Sequence, residues 1–305
     1  VFHKIDNSKD VVEVMEQSDH NYVVDMVPLT LPNGKRVWDK MATVRRDTGD
    51  YLGTVGRGVK ILQPLELYEM AHELIQATGG TINKTMTLGR GAVMGLSFHL
   101  DTQEYVAGDP TDLNFLMLTS FNSKYSVLGR ALSTRLFCMN QLASSTRLFS
   151  IKKTSGNQLK LDMAMKMLSY YGKEMAGFNE KMNLLTTMRH PRPRQLEFFR
   201  NLHPVPKLES RAVATLDNKS TIFENLLETG MGTEHRHVKG SGYHTLQALT
   251  EYCNHSRSTR VMDGKDEEEV RFEATTFGSA DKLMQRGFEG LLQIAKTDPD
   301  NRYVK

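Results

Sequence analysis

Cysteine is scarce. The chain carries two, Cys138 and Cys253, too few for a disulfide framework, and this points to a reducing compartment. No apolar run approaches the ~18 residues a membrane helix needs, and the opening VFHKIDNSKDVVEV lacks a charged-then-apolar leader. Phosphate-loop and dinucleotide signatures are missing: there is no G-x-x-x-x-G-K-[ST], and no G-x-G-x-x-G leads from a strand into a helix. G-x-S-x-G, H-E-x-x-H and C-x-x-C are missing as well. Membrane, collagenous and disulfide-scaffold classes are thereby excluded. No catalytic residue, metal site or cofactor is assigned, and the expectation is a non-enzyme.

What is present is ordinary globular material: 305 residues, 39% hydrophobic and 25% charged, enough for one large domain or two ordinary ones. The net charge of +3 hides an asymmetry. Between Leu113 and Arg211 sixteen Lys and Arg face five Asp and Glu, a balance of +11 that leaves −8 for the remainder. Such a basic stretch suits a polyanion-binding surface. Equally, segments of opposite sign can pack together and neutralise each other.

The patterning is that of an α+β protein, with an N-terminal antiparallel β-rich part holding one helix and a C-terminal, mainly helical part containing a long helix. Residues 1–20 read as a flexible arm, 21–150 as an α+β domain, and 151–305 as a helical region packed on it or continuous with it. YVVDMVPLTL, the PNGK turn and RVWDKMATVRR form one hairpin signal, and RRDTGDYLGTV a second. Pro64 opens a helix whose Leu67, Met70, Ala71, Leu74 and Ile75 share a face, and Gly79-Gly80 ends it. TINKTMTL and AVMGLSFHL flank Gly89-Arg90-Gly91, and a strongly apolar strand follows.

In the second half, Ala164, Leu168, Tyr171, Met175, Phe178, Met182 and Leu185 alternate at spacings of four and three. That is the seam of a coiled coil or of a long helix lying on a core, so an oligomer interface and an intramolecular core both stay open. HPVPKLESRAVATLDN reads as a linker, with Ser220 capping TIFENLLET. Leu246, Leu249 and Cys253 fall on one helix face, DGKDEEEVRFEATTF reads as an exposed acidic stretch, and Ser279 caps the last helix.

Four groups of residues bear on chemistry. The turns around Arg57 and Arg90 place an arginine between glycines, suited to a phosphate but equally to plain hairpins. His235, His237, His244, Cys253 and His255 are metal-ligand types without a structural-zinc spacing, and a solvated loop beside a buried thiol explains them as well. Cys138, in RLFCMNQL, reads as a buried inert thiol. The basic segments SIKKTSGNQLK and MRHPRPRQLEFFR offer Lys152, Lys153, Lys160, Arg189, Arg192 and Arg194 as phosphate contacts, with Arg57 and Arg90 as weaker ones. Tyr170, Tyr171, Phe198 and Phe199 could stack on bases or fill the core.

Several blocks resemble a phage- and plasmid-borne family of unknown function labelled DUF932. YLGTVGRGVKILQPLELYE is similar to its opening block, and Arg135, Cys138 and Asn140 to its arginine-cysteine-asparagine block. SGYHTLQALTEYCNHSRSTR resembles its C-terminal block: Glu251, Tyr252 and His255 match, while Ser241 and Gly242 depart from the usual Gly-Thr-aromatic step. In FSIKKTS, Lys153 stands where relatives commonly carry a histidine. The likeness runs over roughly residues 40–290. It implies a mobile-element origin and the cytoplasm of a bacterial host, and supplies no reaction. Together with the basic stretch, it leads to a DNA-metabolism protein that binds nucleic acid, single strands in recombination or replication, and that forms a homo-oligomer. The alternatives are a self-assembling scaffold or virion protein and a metal-assisted enzyme.

Overall fold

The computed structural model describes residues 2–106, 109–125, 127–135, 141–151, 177–204, 210–231, 238–261 and 266–297. The chain divides into two compact units. One comprises Val1–Thr102, Leu113–Leu132 and Thr146–Lys173; the other comprises Gln103–Asp112, Ser133–Ser145 and Glu174–Lys305.

The N-terminal half runs β1 (Phe2–Ser8), α1 (Val11–Gln17), β2 (Val24–Thr30), β3 (Arg36–Arg45), β4 (Tyr51–Gly56), α2 (Pro64–Thr78), β5 (Thr81–Leu88), β6 (Val93–Val106), β7 (Asp109–Ser120), β8 (Val127–Arg135) and β9 (Gln141–Ile151). Six strands form a sheet in the order β1-β5-β6-β7-β8-β9, and β2-β3-β4 form a smaller one. The α+β reading holds, as do the two early hairpins and the helix from Pro64. That helix is held at its start by the Glu66 carboxylate, which accepts from Gln63 N at 2.8 Å, while the Gln63 amide pairs with both backbone groups of Val24.

The first twenty residues differ from the loosely tied arm their polarity suggests. β1 pairs antiparallel with β5, and α1 is capped by Asp10 Oδ1, which accepts from Val12 N and Glu13 N. Ile5, Val14 and Met15 are buried. A few apolar side chains suffice once a sheet edge supplies the backbone hydrogen bonds. In the core, Phe98 packs on Phe115 with ring centres 6.2 Å apart, and Leu67, Leu74, Ile82 and Met94 are buried.

The Gly89-Arg90-Gly91 turn joins β5 to β6, all three residues having positive φ. The Tyr22 hydroxyl donates to Gly91 O at 3.0 Å, and the Arg45 guanidinium stacks over the Tyr22 ring at 4.2 Å. Arg45 is in turn paired with Asp19 and Asp47. A side chain at Gly91 would begin 3.0 Å from the Tyr22 hydroxyl, so glycine is needed there for space as well as for conformation.

From residue 177 onward the second unit is helical in its described residues: 177–187 (α3), α4 (Arg192–Asn201), α5 (Ser210–Thr229), α6 (Gly242–Glu251) running on as a π-turn (Tyr252–Ser256), α7 (Glu267–Thr276) and α8 (Ser279–Thr297). Phe199 is its hub, stacked on Phe223 with centroids 4.2 Å apart and edge-on to Tyr252 at 5.2 Å.

Local signals misplace five features here. The linker reading fails beyond Ser210, because α5 runs unbroken to Thr229. Ser220 caps nothing: its hydroxyl donates back to Leu216 O at 2.8 Å inside the helix. The acidic stretch forms α7 with Glu269 buried. Ser279 is already helical, and its hydroxyl accepts from Arg257 Nη2 at 3.0 Å. α6 is buried on every side rather than on the one face its leucines mark.

Candidate nucleic-acid interface

The β2–β3 hairpin turns through Asn33-Gly34, where Gly34 has φ +79° and the Asn33 side chain accepts from Lys35 N at 3.1 Å. Strand β3 then leaves as Arg36-Val37-Trp38-Asp39-Lys40. Its pairing with β2 jumps here: Leu29 faces Val37 and the next β2 residue, Pro28, faces Met41. Trp38, Asp39 and Lys40 therefore form a bulge on the β2 side. On the other side Lys40 pairs with Gly56, and Arg57 N donates to Asp39 O at 3.0 Å. A bulge of this kind turns side chains out of the sheet.

The result is a tryptophan 79% exposed, the most exposed of the large apolar side chains described. Arg36 and Lys40 stand two residues to either side of it, and Arg57 is bonded to its neighbour through the backbone. All three cations are exposed, and among the described residues none of their side chains makes an ion pair or hydrogen bond. Asp39 is the one acid of the strand segment. An aromatic face between unneutralised cations is what a base and its flanking phosphates require.

Of the sequence-derived contacts, Arg57 joins this cluster. Arg90, in the same unit, is exposed on its turn at φ +57°. In the helical unit Arg189 is exposed and its backbone bridges to Ser241. Arg192 is neutralised within the fold: it pairs with Glu224 at 2.9 Å and with Glu228, which Lys239 also approaches at 3.6 Å. Arg194 is exposed and partnered. Arg200 likewise pairs with Asp217. Lys152, Lys153 and Lys160 lie outside the described residues, as do Tyr170 and Tyr171. Phe199 is unavailable for stacking on a base because it is the buried hub of its unit.

The metal reading finds little to build on. His235 and His237 lie outside the described residues. Burial pushes the Cys253 thiol up to about 12, which keeps it protonated within the fold. His244 is buried, its Nδ1 near Gln195 Nε2 at 3.3 Å, and burial followed by the Lys239 charge holds its pKa below the usual value. Among the described residues no three His, Cys, Asp or Glu side chains gather at metal-binding distance.

Sequence reasoning passed over Trp38, Arg36 and Lys40, which lie in a segment taken simply as a return strand. The available signal was R-V-W-D-K itself, with cations two residues either side of the sole tryptophan.

Among the comparisons with known proteins, the model of one family, described as Domain of unknown function (DUF932), matches residues 51–276. No curated protein and no solved structure matches the chain.

Proposed function

This chain belongs to the DUF932 family, and we propose that it binds single-stranded nucleic acid, with Trp38 as the stacking platform and Arg36, Lys40 and Arg57 as phosphate contacts. The observation that carries the reading is the 79% exposure of Trp38 within a bulge flanked by cations that have no ion-pair partner among the described residues. Leaving so large an apolar side chain in water forgoes about 1.5–3 kcal/mol of burial, and a stacked base recovers about 1–3 kcal/mol. An unpaired strand suits a single protruding indole because its bases have free faces. The phage or plasmid setting, a role in recombination or replication and the bacterial cytoplasm belong to the same proposal, resting on the resemblance.

The sole tryptophan makes the test direct. Titrating a single-stranded oligonucleotide at low salt should quench the indole fluorescence. Log affinity should fall linearly with log salt, with a slope of roughly −0.7 per phosphate neutralised, about −2 for three contacts. Trp38→Ala, on an exposed site that spares the fold, should cost about 1–3 kcal/mol of binding. No quenching and no binding at low salt would end the proposal.

A further inference from the structure

A second cationic cluster, on the helical unit, is independent of the strand surface. It gathers around Phe199. His203, just past α4, packs on the Phe199 ring with centroids 4.7 Å apart and donates from Nδ1 to Phe199 O at 3.0 Å. That bond leaves Nε2 as the nitrogen that takes up the second proton. Lys219 lies one turn before Phe223, the residue stacked on Phe199. Arg257 follows the π-turn that contains Tyr252, its N–H donating to Tyr252 O at 2.7 Å. Arg286 precedes Gly287 on α8, and Leu202 Cδ1 lies 3.5 Å from where a side chain on Gly287 would begin, which brings this stretch of α8 beside His203.

Four elements thus bring three cations towards the His203 imidazole, and among the described residues no carboxylate pairs with any of the four. Asp281, also on α8, is buried and accepts from Gln285. Arg257 is the clearest sign of a missing partner: Nη2 donates to Ser279 Oγ at 3.0 Å, while Nη1 is buried with no hydrogen-bond acceptor among the described residues. An unmet guanidinium N–H costs free energy unless a ligand supplies the acceptor. The convergence of charge is felt at His203, whose pKa is held below its usual value by burial and then by Lys219, Arg257 and Arg286.

We propose that His203, Lys219, Arg257 and Arg286 form a binding site for a phosphate group. Arg257 supplies a preset guanidinium donor at the buried end. Lys219 is half-buried and Arg286 exposed, so both ammonium and guanidinium can be reached from solvent. A phosphate fits better than a carboxylate because it carries three or more acceptor oxygens and up to two charges, matching several separate donors. The phosphate is either free, as orthophosphate or a small monoester, or the terminal 5′-phosphate of a strand.

Isothermal titration calorimetry of orthophosphate into the full chain, at constant ionic strength set with chloride, reads the site. The expected result is saturable one-to-one binding that weakens as pH rises through the His203 transition. Removing Arg257 also breaks its bond to Ser279, so Arg286→Gln and Lys219→Gln carry the test; each should weaken binding at least tenfold, about 1.4 kcal/mol. Competition with 5′-phosphorylated and 5′-hydroxyl forms of one short oligonucleotide separates the sources. Displacement by the phosphorylated form alone assigns a strand end, and displacement by neither assigns a free phosphate. No saturable heat, or binding that both variants leave within twofold, overturns the site. Orthophosphate cannot stack and the readout is not indole fluorescence, so this test and that of the strand surface fail separately.

Discussion

His20 Nδ1 lies 2.8 Å from the Tyr68 hydroxyl, tying the turn after α1 to α2, and Nε2 lies 2.7 Å from Thr87 Oγ1 on β5. One fully buried imidazole therefore joins the N-terminal segment to the large sheet. The neutral ring, one nitrogen donating and one accepting, satisfies both hydroxyls. Burial, followed by the His3 charge, lowers its pKa to about 4.

That shift sets a pH dependence. The unfolded state takes up a proton near pH 6.5 and the folded state only near 4, so stability contributed by His20 is complete above 6.5 and lost as pH falls towards 4. The shift corresponds to about 3 kcal/mol at most. Denaturant unfolding of the wild-type chain should weaken across this window, and His20→Gln should flatten that dependence. An equal pH dependence in the variant would show that another group is responsible.

A second prediction concerns the seam at spacings of four and three. Ala164, Leu168, Tyr171 and Met175 lie outside the described residues, but Phe178, Met182 and Leu185 are buried within their own unit, and Phe178 meets Phe288 at 5.7 Å between ring centres. Phe178→Ala should therefore destabilise the helical unit by about 3–5 kcal/mol while leaving the sedimentation coefficient of the folded protein unchanged. A variant of unaltered stability and smaller mass would instead establish an oligomer seam.

A third prediction separates cations that are neutralised from those that are not. Arg192 already has Glu224 and Glu228 as partners. Arg192→Gln should change oligonucleotide affinity less than twofold and stability by about 1 kcal/mol or less. The double variant Arg36→Gln with Lys40→Gln should lower affinity and reduce the salt slope by about 1.4. The reverse ranking would move the interface to the helical unit.

Much of the framework was legible from local order. The β-hairpins around Gly34 and Gly49, the helix opening at Pro64 and its stop at Gly79 each follow from residues whose backbone preferences dominate their surroundings. Where the reading failed, long-range partners overrode local polarity. β1 is a strand because β5 accepts it, and α5 continues through Ser220 because Ser220, Phe223 and Leu227 share its buried face. The basic residues were visible, but their carboxylate partners were not, since Arg192 and Glu224 are 32 positions apart.

The amino-acid order by itself determined the α+β class, the family and the positions of most turns, because period, glycine and proline act within a few residues. Only the tertiary structure decided which cations are neutralised and that Trp38 stands out in water. It also decided that His203, Lys219, Arg257 and Arg286 converge. The physical reason is that ion pairing and burial depend on distance in space, and folding brings together groups that the chain keeps far apart.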